Sequence, residues 1–184
     1  MKSRTVKEVM VPLEKYATVS ETATMFEAVM ALEKTQQEFD QTRYRHRAVL
    51  VYDNNKQIVG KVSQLDILKA LEPKYEQIED AKSISRLGYS RQFLKKMMDQ
   101  FNLWNKPLDD ICKKASSMKV RDFMYTPTEG EYIEESATLD QGIHQLIVGH
   151  HQSLLVTRQK EIVGILRVTD VFKEICNIIK TCEI

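Results

Sequence analysis

Lys56-Gln57-Ile58-Val59-Gly60-Lys61-Val62-Ser63-Gln64-Leu65-Asp66-Ile67-Leu68-Lys69 returns 104 residues later as Lys160-Glu161-Ile162-Val163-Gly164-Ile165-Leu166-Arg167-Val168-Thr169-Asp170-Val171-Phe172-Lys173. An internal repeat of this kind governs the architecture before any single element does. Towards the N-terminus the copies continue at an offset of 114: Val6-Lys7-Glu8-Val9-Met10 lies over Val120-Arg121-Asp122-Phe123-Met124, Val19 over Ile133, Ala23-Thr24 over Ala137-Thr138, and Leu32 over Leu146. The first copy therefore carries ten extra residues between Leu32 and Gly60, read as a longer helix end and loop around Lys34 to Arg45.

Periodicity predicts the same elements in both copies. Met25, Val29 and Leu32 follow helical spacing, as do Leu139, Ile143 and Leu146, and Ser20 and Thr22 stand as N-cap candidates for the first of these helices. Ala48 to Tyr52, the turn formers Asp53-Asn54-Asn55 and Gln57 to Val62 read as a hairpin, matched by Ser153 to Val156 and Glu161 to Leu166. Second helices are predicted over Gln64 to Leu71 and Val168 to Ile179. A unit of about 60 residues cannot bury both faces of its sheet alone, so the two copies are expected to pack on each other.

Residues 1–72 form the first repeat, 73–117 a helical insert and 118–184 the second repeat in this reading. Pro73 stops the preceding helix, and Pro107 closes a helix beginning near Ser90, ahead of a short one over Leu108 to Ala115. Leu94, Met97, Met98, Phe101 and Trp104 fall on one face of the longer insert helix. Such a stripe normally packs on its own core, and otherwise meets a twin subunit or partner protein.

Composition narrows the function classes. The 184 residues are 42% hydrophobic with 27 Lys and Arg against 26 Asp and Glu, a net +1 that gives no overall field for nucleic acid or an anionic membrane. No apolar run approaches the roughly 18 residues of a transmembrane helix, and Met1 to Met10 lacks a secretory apolar stretch, so a cytoplasmic location is expected. Cys112, Cys176 and Cys182 lack a C-x-x-C spacing and read as reduced thiols. His144, His150 and His151 have no carboxylate or Cys at ligand spacing, so no metal site is expected. With no P-loop, dinucleotide fingerprint or nucleophile motif, the reading is a sensor and not an enzyme.

The chemistry concentrates where each hairpin meets its second helix. Ser63 and Asp66 make a capping box, whereas the second copy puts Arg167, a poor N-cap, before Asp170, so capping explains that acid less well. A helix N-terminus also suits a phosphate, and a carboxylate one turn in suits the two hydroxyls of a ribose. Gly60 and Gly164 precede the constellation, where strand glycine marks close approach of a ligand or another backbone.

These residues, the apolar-x-x-x-Met openings and the Val or Ile before each first helix resemble a tandem pair of CBS domains, the cystathionine β-synthase-type repeat of a Bateman module. The resemblance covers about Val6 to Leu71 and Val120 to Ile179. It implies an α/β (α+β) fold of two pseudo-symmetric repeats packed sheet to sheet, clefts that take AMP, ADP, ATP or S-adenosylmethionine, no required cofactor, and a disc-like homodimer that signals to a regulated protein partner. By that resemblance Asp66 and Asp170 hold ribose hydroxyls, Ser63 a phosphate, and Thr18-Val19 and Tyr132-Ile133 line adenine pockets. Arg45, His46 and Arg47 form the strongest phosphate candidate, and His151 stands at the matching place in the second copy. Arg167 replaces the family's Ser or Thr, which implies a guanidinium on phosphate, a different ligand, or a blocked site. The alternative function is a CBS-fold interaction module that binds no ligand and uses the insert as its contact face.

Overall fold

Side chains alternate across a strand with a period of two, so each hairpin delivers apolar groups to two different layers. A computed structural model describes residues 4–38, 47–72, 74–75, 90–104 and 110–181. One sheet has the order β2 (Thr18–Ser20), β3 (Ala48–Tyr52), β4 (Ile58–Ser63); the other has β1 (Val11–Pro12), β7 (Glu161–Arg167), β6 (Ser153–Arg158), β5 (Tyr132–Glu134). Val49, Val51 and Val62 point to the helix side of the first sheet, into a core with Ala28 and Leu32 of α2 (Met25–Glu38) and Ile67 of α3 (Gln64–Leu71). Leu154, Val156 and Leu166 do the same in the second, against α6 (Leu139–Val148) and α7 (Val168–Lys180). Between the sheets, Leu50, Leu155 and Ile165 meet Val11 and Tyr16 in a third core. Each of these fully buried Leu and Ile side chains contributes about 1.5–3 kcal/mol.

The opening segments are exchanged between repeats. Val6 and Val9 of α1 (Val6–Val9) and Met10 pack in the core of the second repeat, and β1 pairs antiparallel with β7. Reciprocally Val120, Phe123 and Met124 complete the core of the first repeat, and Tyr125 exchanges two 2.9 Å backbone hydrogen bonds with Lys61 of β4. The anchoring bonds repeat too: Val6 N donates to Ala137 O, and Val120 N to Ala23 O.

This exchange accounts for the strand glycines. A Cβ on Gly164 would stand 2.6 Å from the Val11 carbonyl oxygen and 2.9 Å from Met10 Sδ; one on Gly60 would stand 3.1 Å from the Tyr125 oxygen and 2.8 Å from Met124 Sδ. Of the two readings of these glycines, close approach of another backbone is the one found.

Three local expectations change. The N-cap of α2 is Thr24, not Ser20 or Thr22: its backbone N–H and hydroxyl donate to Glu27, and the Glu27 N–H returns the bond, because only Thr24 has an acid three residues on. Ser20 and Thr22 bond each other in the preceding turn. The ten extra residues are divided, one of them lying in the hairpin: Asn54 to Lys56 turns the first, with Lys56 at φ 63°, where the second uses the two-residue turn Gln159-Lys160 with both φ positive.

In the insert, α4 (Arg91–Gln100) is capped by Ser90 and α5 (Ile111–Ser117) lies against α2. The expected core stripe is only partly covered: Leu94 and Met98 are 47% and 48% exposed, while Met97, Phe101 and Trp104 are half-buried. The insert is tied down by other groups, since Leu103 is buried, Trp104 N donates to Glu72 Oε2 at 2.7 Å, and Trp104 Nε1 donates to the Tyr75 hydroxyl. Pro73, Pro107, Leu108 and Cys182 lie outside the described residues.

The exchange is testable by stability. Gly164→Ala must displace the β1 backbone and is expected to cost about 1–3 kcal/mol by chemical denaturation, as overpacked cores do. Gly130→Ala, where a Cβ would meet only His151 Nε2 at 3.9 Å, is expected to stay within about 0.5 kcal/mol.

Candidate ligand site between the repeats

At the start of α3 the Ser63 hydroxyl donates to Asp66 Oδ2 at 2.6 Å, the Ser63 N–H donates to the same oxygen at 2.8 Å, and the Asp66 N–H donates back to Ser63 Oγ at 3.2 Å. The capping box is therefore complete, yet it uses one carboxylate oxygen. Oδ1 of the half-buried Asp66 has no hydrogen-bond partner among the described residues. The Gln64 N–H donates to Arg47 O, which brings the exposed Arg47 to the same helix start. Arg45 and His46 lie outside the described residues.

The second repeat supplies the facing groups. Glu131, 2% exposed, accepts from Lys61 Nζ and from the Tyr125 hydroxyl, each at 2.6 Å, and from the Thr128 N–H at 3.2 Å. The Lys61 ammonium also stands 5.1 Å from the Tyr125 ring centroid. The hydrogen bond to Glu131 pushes the Tyr125 phenol up to about 12, with burial and the charges of Glu131 and Asp66 adding to it. Burial alone would raise Glu131, but its bonds from Lys61 and Tyr125 hold it below the usual carboxylate range. Charges of both repeats therefore meet beside Asp66.

The pseudo-symmetric place is closed. Arg167 Nε donates to Asp170 Oδ2 and Nη2 to Oδ1 at 2.7 Å, with the two residues only 6% and 7% exposed. Tyr16, also buried, is pushed up to about 12 by burial, with Arg167 lowering and Asp170 raising it, which puts its phenol beside the pair.

Of the pocket-lining candidates, Thr18 is exposed and Tyr132 is 37% exposed. Val19 and Ile133 bury their side chains in the two helix-side cores, which leaves backbone to line a pocket. His151 lies against Gly130 and faces an apolar groove of about 490 Å³ between α6 and α7, lined by Ile147, Val168 and Phe172 among others. Among the described residues no three His, Cys, Asp or Glu side chains form a metal cluster, and no helix is long and apolar enough to cross a membrane.

Sequence reasoning missed Lys61, Tyr125 and Glu131. A signal was present: their equivalents in the other copy are Ile165, Val11 and Ala17, so three aligned positions are polar in one copy and apolar in the other. The network gives a pH test. Because the folded carboxyl of Glu131 lies below its ordinary value near 4.5, its stabilisation is present at neutral pH and is lost as the pH falls through the lowered value. Glu131→Gln is expected to lower the melting temperature at pH 7 and to flatten the acid limb of the stability profile below about pH 5. An unchanged acid limb would remove Glu131 from that role.

A family model described as "CBS domain" matches residues 6–73. No curated protein matches. Among solved structures the chain is similar to the CBS-pair protein CBSX2 from Arabidopsis thaliana, at 18% identity and TM-score 0.61, covering 98% of this chain and 100% of that one. CBSX2 in complex with AMP gives 18% identity and TM-score 0.58, covering 95% and 98%. The CBS domain of a bacterial CNNM/CorC family Mg2+ transporter in complex with ATP gives 15% and 0.59, covering 94% and 87%.

Proposed function

We propose a regulatory role for this chain, which matches the CBS domain model over residues 6–73 and is similar in fold to CBS-pair structures: binding of an adenosine nucleotide in the cleft between the repeats at Ser63 and Asp66. The observation that carries the reading is Oδ1 of Asp66, at a helix N-terminus and without a hydrogen-bond partner among the described residues, with Arg47 beside it. The carboxylate suits a ribose hydroxyl, and the helix start with Ser63 and Arg47 suits phosphate. That CBSX2 and the CNNM/CorC domain were solved with AMP and ATP supports the ligand class. Backbone at Tyr132 and Ile133 completes this pocket in the proposal, and Arg45 and His46 add charge to it. S-adenosylmethionine belongs to the same class.

Occupancy regulates only if the ligand prefers one of two arrangements of the repeats. The Lys61, Glu131 and Tyr125 cluster, which ties β4 to the second repeat beside Asp66, is the contact such a ligand would bias. Exposed Leu65, Leu68, Ile147 and Phe172 on the outer helices provide a surface for a second copy or a regulated protein.

A thermal-shift panel of AMP, ADP, ATP and S-adenosylmethionine tests the reading. A ligand at 100 times its dissociation constant is expected to stabilise by about 2.7 kcal/mol. Asp66→Ala is expected to weaken a confirmed nucleotide at least about tenfold, the scale of a lost hydrogen bond to a charged group. No shift from any of the four at millimolar concentration overturns the proposal.

The exposed face of α4 favours a second reading, an interaction module whose contact face is the insert. Leu94→Glu with Met98→Glu is then expected to leave the melting temperature within about 1 °C, as for surface changes, while abolishing self-association in sedimentation. Loss of fold instead would return the stripe to the core.

A further inference from the structure

The two clefts of this chain are unequal, and the inequality lies in side chains already described. Among the described residues Ser63 leaves one oxygen of Asp66 without a partner, whereas Arg167, at the equivalent position, engages both oxygens of Asp170. A guanidinium presents two parallel N–H donors in a fixed fork, and it offers this carboxylate the same pair of donors that the two hydroxyls of a ribose would offer. Tyr16 stands beside the pair, where the aligned residue of the other repeat is Gly130, which has no side chain to place there. A ligand entering there would have to displace a buried guanidinium and leave it uncompensated, and breaking a buried pair is strongly unfavourable.

We propose that Arg167 is a built-in occupant of the second cleft, so that the chain takes one adenosine nucleotide and not two. This rests on the nucleotide reading above and deepens it, since Arg167 sets the stoichiometry and confines ligand response to the Asp66 side. The Arg167 side stays closed and the Asp66 side is the responsive one.

Titration calorimetry with AMP, ADP and ATP is the test. The wild-type chain is expected to bind one nucleotide per chain on a simple hyperbola, Asp66→Ala to lose at least tenfold in affinity, and Arg167→Thr, which restores a capping hydroxyl and releases Asp170, to bind two. Two nucleotides per wild-type chain overturn the proposal; so does binding that survives Asp66→Ala and is lost in Asp170→Ala, or one site in a folded Arg167→Thr. If Arg167→Thr fails to fold with Asp170 buried and unpaired, the wild-type stoichiometry and the Asp66→Ala titration decide. If none of the three nucleotides binds either the wild type or Arg167→Thr, the nucleotide reading fails. The closed pair is then judged without ligand, by the exchange of the Arg167 Nε–H with water in nitrogen-15 NMR. Exchange at least tenfold slower than that of an exposed arginine sustains the closed pair, and exchange at the exposed rate overturns it.

Discussion

Each sheet ends on a strand edge that its own repeat does not cover, and the chain satisfies both edges by trading opening segments. Val11 and Pro12 close β7, while Tyr125 closes β4. The trade works only if backbone runs directly over backbone, which is why Gly60 and Gly164 precede the second helices and why Met10 and Met124 lie over them. The sheet-to-sheet core of Leu50, Leu155, Ile165, Val11 and Tyr16 follows from that arrangement, since Val11 and Tyr16 reach it only on the crossing strand and its continuation.

The exchange also explains how one fold produces two different clefts. Each cleft combines a hairpin-to-helix junction from one repeat with the segment before the first long helix of the other. Substitutions in either repeat therefore change a shared site. On one side Lys61, Tyr125 and Glu131 build a buried charged cluster beside a half-open carboxylate. On the other side their aligned equivalents are Ile165, Val11 and Ala17, and the polar chemistry is reduced to Arg167 and Asp170 holding each other, with Tyr16 alongside. The charge balance of the whole chain carries no trace of this, because the charged groups neutralise one another locally.

Much of the fold was legible in the sequence because it is repeated. Two copies of strand, helix, hairpin and helix gave matching periodicities, and α3 spans Gln64–Leu71 as its apolar spacing indicates. Caps were less legible: Ser20, Thr22 and Thr24 all have capping side chains, and only the reciprocal bond from Glu27 distinguishes them. The exchange was not legible, since periodicity reports which face of an element is apolar and not which sheet it covers. At the candidate site, Ser63 and Asp66 were readable as a motif, whereas the cluster around Glu131 joins residues 70 positions apart. The stripe running from α4 to Trp104 is only partly covered, because amphipathicity records an apolar face without recording what lies against it.

The traded openings bear on the order in which the chain acquires structure. Val6, Val9 and Met10 belong to a core whose other members extend to Val171, so these residues must wait until the second repeat has been made. At roughly 5–20 residues per second on the ribosome, that wait is on the order of 10–30 s. The first repeat lacks Val120 and Met124 until the chain has grown past them, and the second stays incomplete until Val171 is made. Contacts of such long sequence separation make folding late and cooperative, and a nascent first repeat shows its apolar interior to whatever chaperone is at hand.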